Sequence, residues 1–496
     1  MKSRVGLRRQ LNTFDVTSLV VGSIIGADIY VAAALGAKLV GPISILLWFT
    51  AGVMAIVIAL SFSYCATILP RVGGPYSYVK EVGGPLNGFM VGWSLLLAEW
   101  FSLAVFPVAF TQYVLSLIPE FEQFQILLKG LFIFIIFVTN IFGIKGAGRF
   151  NDFLTIGKLV PLLLLMASGL LFIGLNPVVT LSNFQPLVKN NIHNLGQALV
   201  LIFWAYAGFE LSTLPADEIQ EPERTIPRAI GIGMLIVTAF YLFTNFVIIG
   251  VVDQKTLASS PAPLMAAASN IFNLSSTLAV AGSLTVGIGA LISIMGADES
   301  GTIGTSRLAF AMSIDGLLPE VFSRLHSSFR TPYIGLALIC STAFVASVLG
   351  TLAALINASV FLLSFAYFST CISAIFLERK YPEASKKLKW KRVISALGIF
   401  FSLLLMTQVD MLQILTSFIL LIIGVPLYLF FSPKKELHEL KEAFLSRDAI
   451  LKRAYDQGER FLAYPIRRIK WLIYRVKKIN KAWLHEDFRP QDEKRK

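Results

Sequence analysis

Long apolar runs separated by short polar stretches occupy the chain from about residue 14 to about residue 432. A helix crosses the roughly 30 Å hydrocarbon core of a bilayer in about 20 residues. On that measure the pattern predicts twelve spans, at 14–38, 43–69, 84–118, 127–143, 152–175, 195–217, 228–252, 274–313, 333–350, 353–378, 391–408 and 410–432. The third and eighth exceed a plain crossing, so tilt or a helical extension beyond the bilayer is expected there. The fold class read from this pattern is an all-α polytopic membrane protein, since runs that recur along the chain exclude a soluble domain on one anchor.

Composition agrees: of 496 residues, 55% are hydrophobic and 15% charged, against about 25% charge in a soluble globule, and the mean hydropathy is +0.71. The net charge of +13 raises the question of nucleic acid or an anionic membrane. Most of it belongs to the polar tail, 433–496, which is too thin in apolar residues to build a nucleic-acid domain. Cys65, Cys340 and Cys371 lie inside apolar runs, so no disulfide framework or thiolate metal cluster is read, and no cofactor is expected. The histidines, His193, His326, His438 and His485, fall in predicted loops or tail. With no HExxH, no GxSxG paired to a histidine and no Walker loop, neither an enzyme nor a direct ATP-driven pump is expected.

Basic residues fix the orientation. With a cytoplasmic N-terminus, Lys2, Arg4, Arg8, Arg9, Arg71, Lys80, Arg224, Arg307, Arg379, Lys380 and Arg392, among others, lie inside, while the outer segments hold only Lys38, Lys129, Lys189 and Lys255. That asymmetry places both termini in the cytoplasm, by the positive-inside rule, and the short N-terminus and small loops suit a plasma membrane. In the tail, Ile466, Ile469, Leu472, Ile473, Val476, Ile479 and Trp483 recur at helical spacing among arginines and lysines. This predicts a basic amphipathic helix, lying on anionic lipid or packed on the protein's own cytoplasmic face.

Irregular backbone at membrane depth is tolerated only inside protein or along an aqueous cavity. Two runs invite such breaks: Gly22-Ser23-Ile24-Ile25-Gly26-Ala27-Asp28 in the first span, and Phe203-Trp204-Ala205-Tyr206-Ala207-Gly208-Phe209-Glu210 in the sixth. They occupy corresponding positions if spans 1–5 and 6–10 are two halves of a repeat. Half-helix ends there offer N–H groups to anions and carbonyls to cations; glycine for close helix packing is the alternative reading.

Gly22-Ser23-Ile24-Ile25-Gly26, Gly41-Pro42, Pro70-Arg71-Val72-Gly73-Gly74-Pro75-Tyr76, Gly208-Phe209-Glu210, Glu221-Pro222-Glu223-Arg224, Ile226-Pro227-Arg228-Ala229, Ser306-Arg307 and Asp315-Gly316-Leu317-Leu318-Pro319 together resemble the amino acid–polyamine–organocation superfamily. The resemblance covers about residues 10 to 430. It implies a five-plus-five inverted repeat with broken helices 1 and 6 and two extra helices. The organisation is then 1–13 cytoplasmic, 14–175 first repeat, 195–378 second repeat, 391–432 the extra pair and 433–496 the tail. It also implies alternating-access transport of an amino acid or amine. The pocket carried over by resemblance falls on Ile24, Ile25, Gly26, Ala27 and Asp28, and on Phe203, Trp204, Ala205, Tyr206, Ala207 and Gly208. Carbonyls of Ile24, Trp204 and Ala207 would face a substrate ammonium, and N–H groups of Gly26, Ala27 and Asp28 a carboxylate. Trp204 and Tyr206 are candidate aromatic walls or ordinary bundle packing.

Ionisable groups at membrane depth cost roughly 2.5–3.5 kcal/mol even on the lenient insertion scale, so each calls for a partner or a cavity. Lys158 lies about six residues into span 5, near enough to snorkel. By resemblance, it instead supplies a positive charge where sodium-coupled relatives bind the ion, which favours proton coupling. Asp28 departs from the family's Gly-Ser-Gly-like run. It is a candidate for a substrate's second cationic group, for neutralising Lys158, for carrying the proton, or for satisfying freed backbone N–H groups. Asp298 and Glu299 in span 8 add negative charge, and the set favours cationic amino acids, diamines or polyamines. Glu99 is a pocket-lining or helix-pairing acid, and Glu210 a structural bridge near the second break. The expectation is a proton-coupled symporter or exchanger, with a polyamine or organic cation exchanger, or an amino acid sensor, as the alternatives.

Overall fold

The computed structural model describes residues 11–71, 73–142, 144–186, 194–213, 219–273, 275–329, 331–385 and 390–432, with the side chains of Ala27 and 144–158 excepted. The predicted tail helix and the Lys158 side chain therefore lie outside the described residues. Two compact units are distinguished, 1–424 and 425–496; of the second, only the final turns of the last helix and Ser432 are described.

Helices in chain order are α1 (Thr13–Ile24), α2 (Ala27–Val40), α3 (Ser44–Ile68), α4 (Gly74–Leu117), α5 (Gln125–Ile141), α6 (Ile144–Leu175), α7 (Pro177–Asn183), α8 (Leu195–Phe203) and α9 (Pro222–Val251). After them come α10 (Gln254–Ser259), α11 (Pro263–Ile271), α12 (Ser276–Ile314), α13 (Tyr333–Leu349), α14 (Leu352–Lys380), α15 (Pro382–Ser385), α16 (Lys391–Gln408) and α17 (Met411–Phe431). Among the described residues each predicted run is largely helix, with interruptions between α1 and α2 and after α8. By length and composition, nine helices among the described residues can cross a membrane, or ten when the bent pair at Leu175–Pro177 counts as one span. The difference from twelve has a physical source. α1 and α13 have only 12 and 17 residues, and α2 runs into α3 through a single 3-10 turn, so that the two form one long apolar stretch.

The two overlong segments carry distinct features. α4 begins ten residues before the predicted limit and is interrupted by Gly84, at φ +83°, a left-handed conformation open to glycine at little cost. Its first section is thereby set apart from the long helix behind it. α12 is unbroken over 39 residues.

α4 packs against α14 and α12, α3 against α9 and α16, and α6 against α12. The interior is dense in large side chains, among them Trp48, Tyr30, Tyr78, Tyr113, Tyr206, Tyr241 and Tyr367. Outward positions on α5, α6 and α16 are equally apolar: Leu127, Phe134, Leu163, Leu171 and Phe400 are exposed. Hydrophobic residues on both sides of a helix are what a lipid solvent requires.

Candidate functional site

The backbone leaves the helical region between α1 and α2. Ile25 is extended (φ −74°, ψ 95°) and Gly26 lies at φ −140°, ψ −143°. A β-carbon on Gly26 would stand 2.3 Å from that of Ala297 in α12, so the chain passes here at contact with α12. After α8, the residues Trp204–Tyr206 form a 3-10 turn. Ala207 is extended and Gly208 takes φ +115°, followed by a second 3-10 turn at Phe209–Thr213.

These two irregular stretches touch. Ser23 Oγ donates to the Gly208 carbonyl at 3.1 Å, and a β-carbon on Gly208 would lie 3.0 Å from the Ser23 carbonyl oxygen. Carbonyls freed by the breaks are partly satisfied within the protein. Ile24 O accepts from Tyr241 Oη at 2.8 Å, and Trp204 O accepts from Ala207 N at 3.0 Å. A carbonyl has two lone pairs, so each keeps one acceptor site.

Of the candidate aromatic residues, Trp204 donates its indole N–H to Ser102 Oγ at 3.0 Å, and Ser102 and Ser359 hydroxyls lie 3.0 Å apart. Its ring faces Phe106 at 6.1 Å. Tyr206 points to the opposite side, donating to the Trp48 carbonyl at 2.8 Å and packing on Trp48 and Tyr241. Phe203 and Ala205 are buried, Phe203 with its ring 6.3 Å from Tyr367, while Ala207 is partly exposed.

The acids predicted at membrane depth are all buried: Asp28, Glu99, Glu210, Asp298 and Glu299. Asp28 lies in the first turn of α2 with Oδ2 3.3 Å from the β-carbon position of Gly26, so its carboxyl folds back over the break. Negative charge is favoured at a helix N-terminus. Glu210 Oε2 accepts from the Gly208 N–H at 3.1 Å and from Tyr367 Oη at 3.0 Å, which makes it a bridge between the second break and α14. Glu99 and Glu210 line one small cavity of about 10 Å³ with Pro75, Leu95, Thr305 and Leu308, near the lower limit for a single water. On α12, Ala297 meets the first break, so Asp298 and Glu299 follow directly behind it. Glu299 Oε2 contacts Thr139 Oγ1 at 2.6 Å and accepts from Asn140 Nδ2 at 2.8 Å. Among the described residues no group of three or more His, Cys, Asp or Glu is arranged to hold a metal.

Sequence reading did not single out Tyr241, Tyr367, Thr139 or Asn140. The signal was available: hydroxyl and amide groups in the middle of apolar helices need partners inside the protein, and the freed backbone and buried acids are where partners are wanted.

The motifs at the start of α4 and the ends of α12 and α14 also come together. Tyr76 Oη donates to Asp315 Oδ2 at 2.7 Å and Lys80 lies 3.6 Å from the same oxygen. Glu81 receives Arg71 at 3.0 Å, Lys380 at 2.7 Å and Tyr381 at 2.6 Å. The first section of α4 is thus fastened to the ends of α12 and α14. Leu11 pairs with Ile219 in an isolated parallel bridge, Gln220 N donating to Leu11 O at 2.9 Å.

Long apolar helices, a lipid-like exterior and paired irregular backbone enclosing buried acids define a multi-pass helical membrane protein. The amino acid permease family matches residues 11–432, and the chain belongs to that family, within the amino acid–polyamine–organocation superfamily. It is similar to the human cystine/glutamate transporter, 28% identical over 87% of this chain and 86% of that protein. A Bacillus subtilis branched-chain amino acid permease is 27% identical over 86% of this chain and 94% of its own length. A serine/threonine exchanger of the same organism is 25% identical over 85% and 97%. Family and relatives are transporters rather than enzymes.

Proposed function

We propose that this protein is a secondary active transporter that moves amino acids across the plasma membrane by alternating access, coupled to protons as a symporter or exchanger. Its twelve predicted spans are arranged as five plus five inverted helices, 14–175 and 195–378, with the pair 391–432 added and both termini in the cytoplasm. Substrate binds between the breaks at Ile24–Asp28 and Phe203–Gly208. The observation that carries this reading is the contact of the two irregular stretches through Ser23 and Gly208, because a substrate bridging two interrupted helices is held by backbone groups whose spacing changes when either helix moves.

Asp28, buried where a substrate's polar end would lie, favours a substrate with a second amine, such as a cationic amino acid, a diamine or a polyamine. Lys158 supplies the positive charge on α6 that a coupling ion would otherwise provide. Neutral amino acids are the second reading. It is favoured by the branched-chain permease and the serine/threonine exchanger among the relatives, and by the capacity of buried carboxyls to be neutral. The basic tail, 433–496, is assigned to anionic lipid of the inner leaflet.

The deciding experiment is uptake by purified protein in proteoliposomes, with labelled neutral and cationic amino acids and polyamines under separately imposed proton and sodium gradients. Accumulation driven by protons and competed by cationic amino acids is the expected result. Sodium-dependent, proton-independent accumulation would overturn the coupling, and binding without accumulation would make the protein a sensor.

A further inference from the structure

Asp298 is fully buried on α12, and neither of its carboxyl oxygens meets a hydrogen-bond partner among the described residues. A carboxylate in that position has lost its water with no donor among the described residues to replace it, so taking up a proton removes a charge that is costly to bury.

Glu299, also fully buried, stands next to it on the same helix. Its Oε2 lies 2.6 Å from Thr139 Oγ1, while its Oε1 has no partner. The Thr139 hydroxyl owns one hydrogen, and the carbonyls of Ile135 and Ile136 each stand 3.0 Å from it. The shorter donation, at 2.6 Å, is to Glu299 Oε2, which also accepts from Asn140 Nδ2 at 2.8 Å, so this carboxyl is held by donors on one oxygen only.

The titratable groups facing this pair are Glu99 on α4 and Cys340 on α13. α5 presents Thr139 and Asn140, and α2 brings Asp28 toward Glu99. None of these is a cation, and the one intramembrane lysine, Lys158 on α6, has its side chain outside the described residues. The pair is also tied to the moving parts, because Ala297, the preceding residue, is the one on which Gly26 of the first break rests.

We propose that Asp298, with Glu299 behind it, is a proton-binding site whose loading and release are set by whether the break at Ile25–Gly26 covers α12. A proton from water adds to a carboxylate oxygen while the site is wetted from one side. It is sealed as a neutral O–H when the break closes, and it returns to water when the site opens to the other side. This rests on the proton-coupled reading and names where its proton is held. Asp298 then serves coupling, and the attraction of a substrate amine is left to Asp28.

The test uses the full chain in proteoliposomes with a trapped pH indicator and labelled substrate, reading protons moved per substrate molecule. The wild-type protein moves protons with substrate. Asp298→Asn lowers that ratio at least tenfold, Asp298→Glu restores it, and Glu299→Gln lowers it and flattens the pH profile of uptake. Parallel labelling of the wild-type protein with dicyclohexylcarbodiimide, which reacts with protonated buried carboxyls, modifies Asp298 at neutral pH as mapped by mass spectrometry. An unchanged ratio in Asp298→Asn, with proton movement intact in the wild type, would overturn this inference alone. Absence of proton movement in the wild type would overturn the coupled reading and the inference together. Should Asp298→Asn not fold, an unlabelled Asp298 in the wild type overturns the proposal and a labelled one supports it.

Discussion

Tyr241 of α9 donates its hydroxyl to the Ile24 carbonyl at 2.8 Å, so that a carbonyl released by the break in the first apolar run is held by a helix more than 200 residues further along the chain. Tyr241→Phe leaves that acceptor without its protein partner. Leaving a buried polar group unpaired costs about 1–3 kcal/mol, and the thermal midpoint of the purified protein is expected to fall accordingly. Saturating substrate recovers part of the loss if its ammonium takes the vacated acceptor. A midpoint equal to that of the wild type would show that the bond contributes nothing.

Gly208→Ala combines two obstacles, a left-handed φ of +115° and a carbonyl oxygen 3.0 Å from the new methyl. The conformation alone costs roughly 1–2 kcal/mol. Initial uptake per folded protein is expected to drop by more than tenfold, as is that of Gly26→Ala, whose methyl would overlap Ala297. Wild-type rates in both variants would mean that the breaks relax freely.

Removing the carboxyl at Asp28 separates the two substrate readings. Asp28→Asn is expected to weaken competition by cationic amino acids by at least tenfold while sparing neutral ones, measured as inhibition of labelled uptake. A preference for neutral substrates in the wild type, unchanged in Asp28→Gly, would remove charge from the account of selectivity.

Lys380 and Glu81 form a partly exposed pair between the start of α4 and the end of α14, on the side proposed to face the cytoplasm. Exposed pairs contribute about 0–1 kcal/mol, so Lys380→Met should increase cytoplasmic accessibility of an engineered cysteine near Glu210 by no more than about fivefold. Glu81→Gln should do the same, and the double variant should do no more than either. Fully additive effects would show the two residues acting apart.

Asp253 caps α10 by accepting from the N–H groups of Lys255 and Thr256, both at 3.1 Å. Hydrogen bonding from the Thr256 side chain and these N–H groups holds its carboxyl below the ordinary value. A depressed folded value means that the cap stabilises above the unfolded value of about 3.9 and fades as pH falls through the folded one. The protection of the α10 amides relative to their intrinsic exchange rate should therefore be high at neutral pH and fall below about pH 4. In Asp253→Ala that protection should already be low at neutral pH.

The helices were legible because lipid makes the pattern one-sided: apolar runs such as 391–408 coincide with their helix at both ends. Boundaries failed where polar residues begin a helix outside the apolar run, as in α4, whose first section reads as a loop because Lys80, Glu81 and the glycines interrupt it. The breaks were legible as glycine-rich runs with no route to their contact, since Ser23 and Gly208 are separated by most of the first half of the chain. The acids could be located at depth, but not their surroundings. Only the folded chain distinguishes Glu210, which bridges to Tyr367, from Asp298, which meets no donor among the described residues.

Gly84 stands in open space, with nothing near enough to clash with a side chain there, yet its φ is +83°. The demand at this position is rotational rather than spatial. Residues 74–83 therefore form a short bar on a swivel, bolted at Tyr76 to one helix of the later chain and at Glu81 to another. A pair of spectroscopic labels on this bar and on the end of α14 would act as a strain gauge, reporting whether the bar turns during transport.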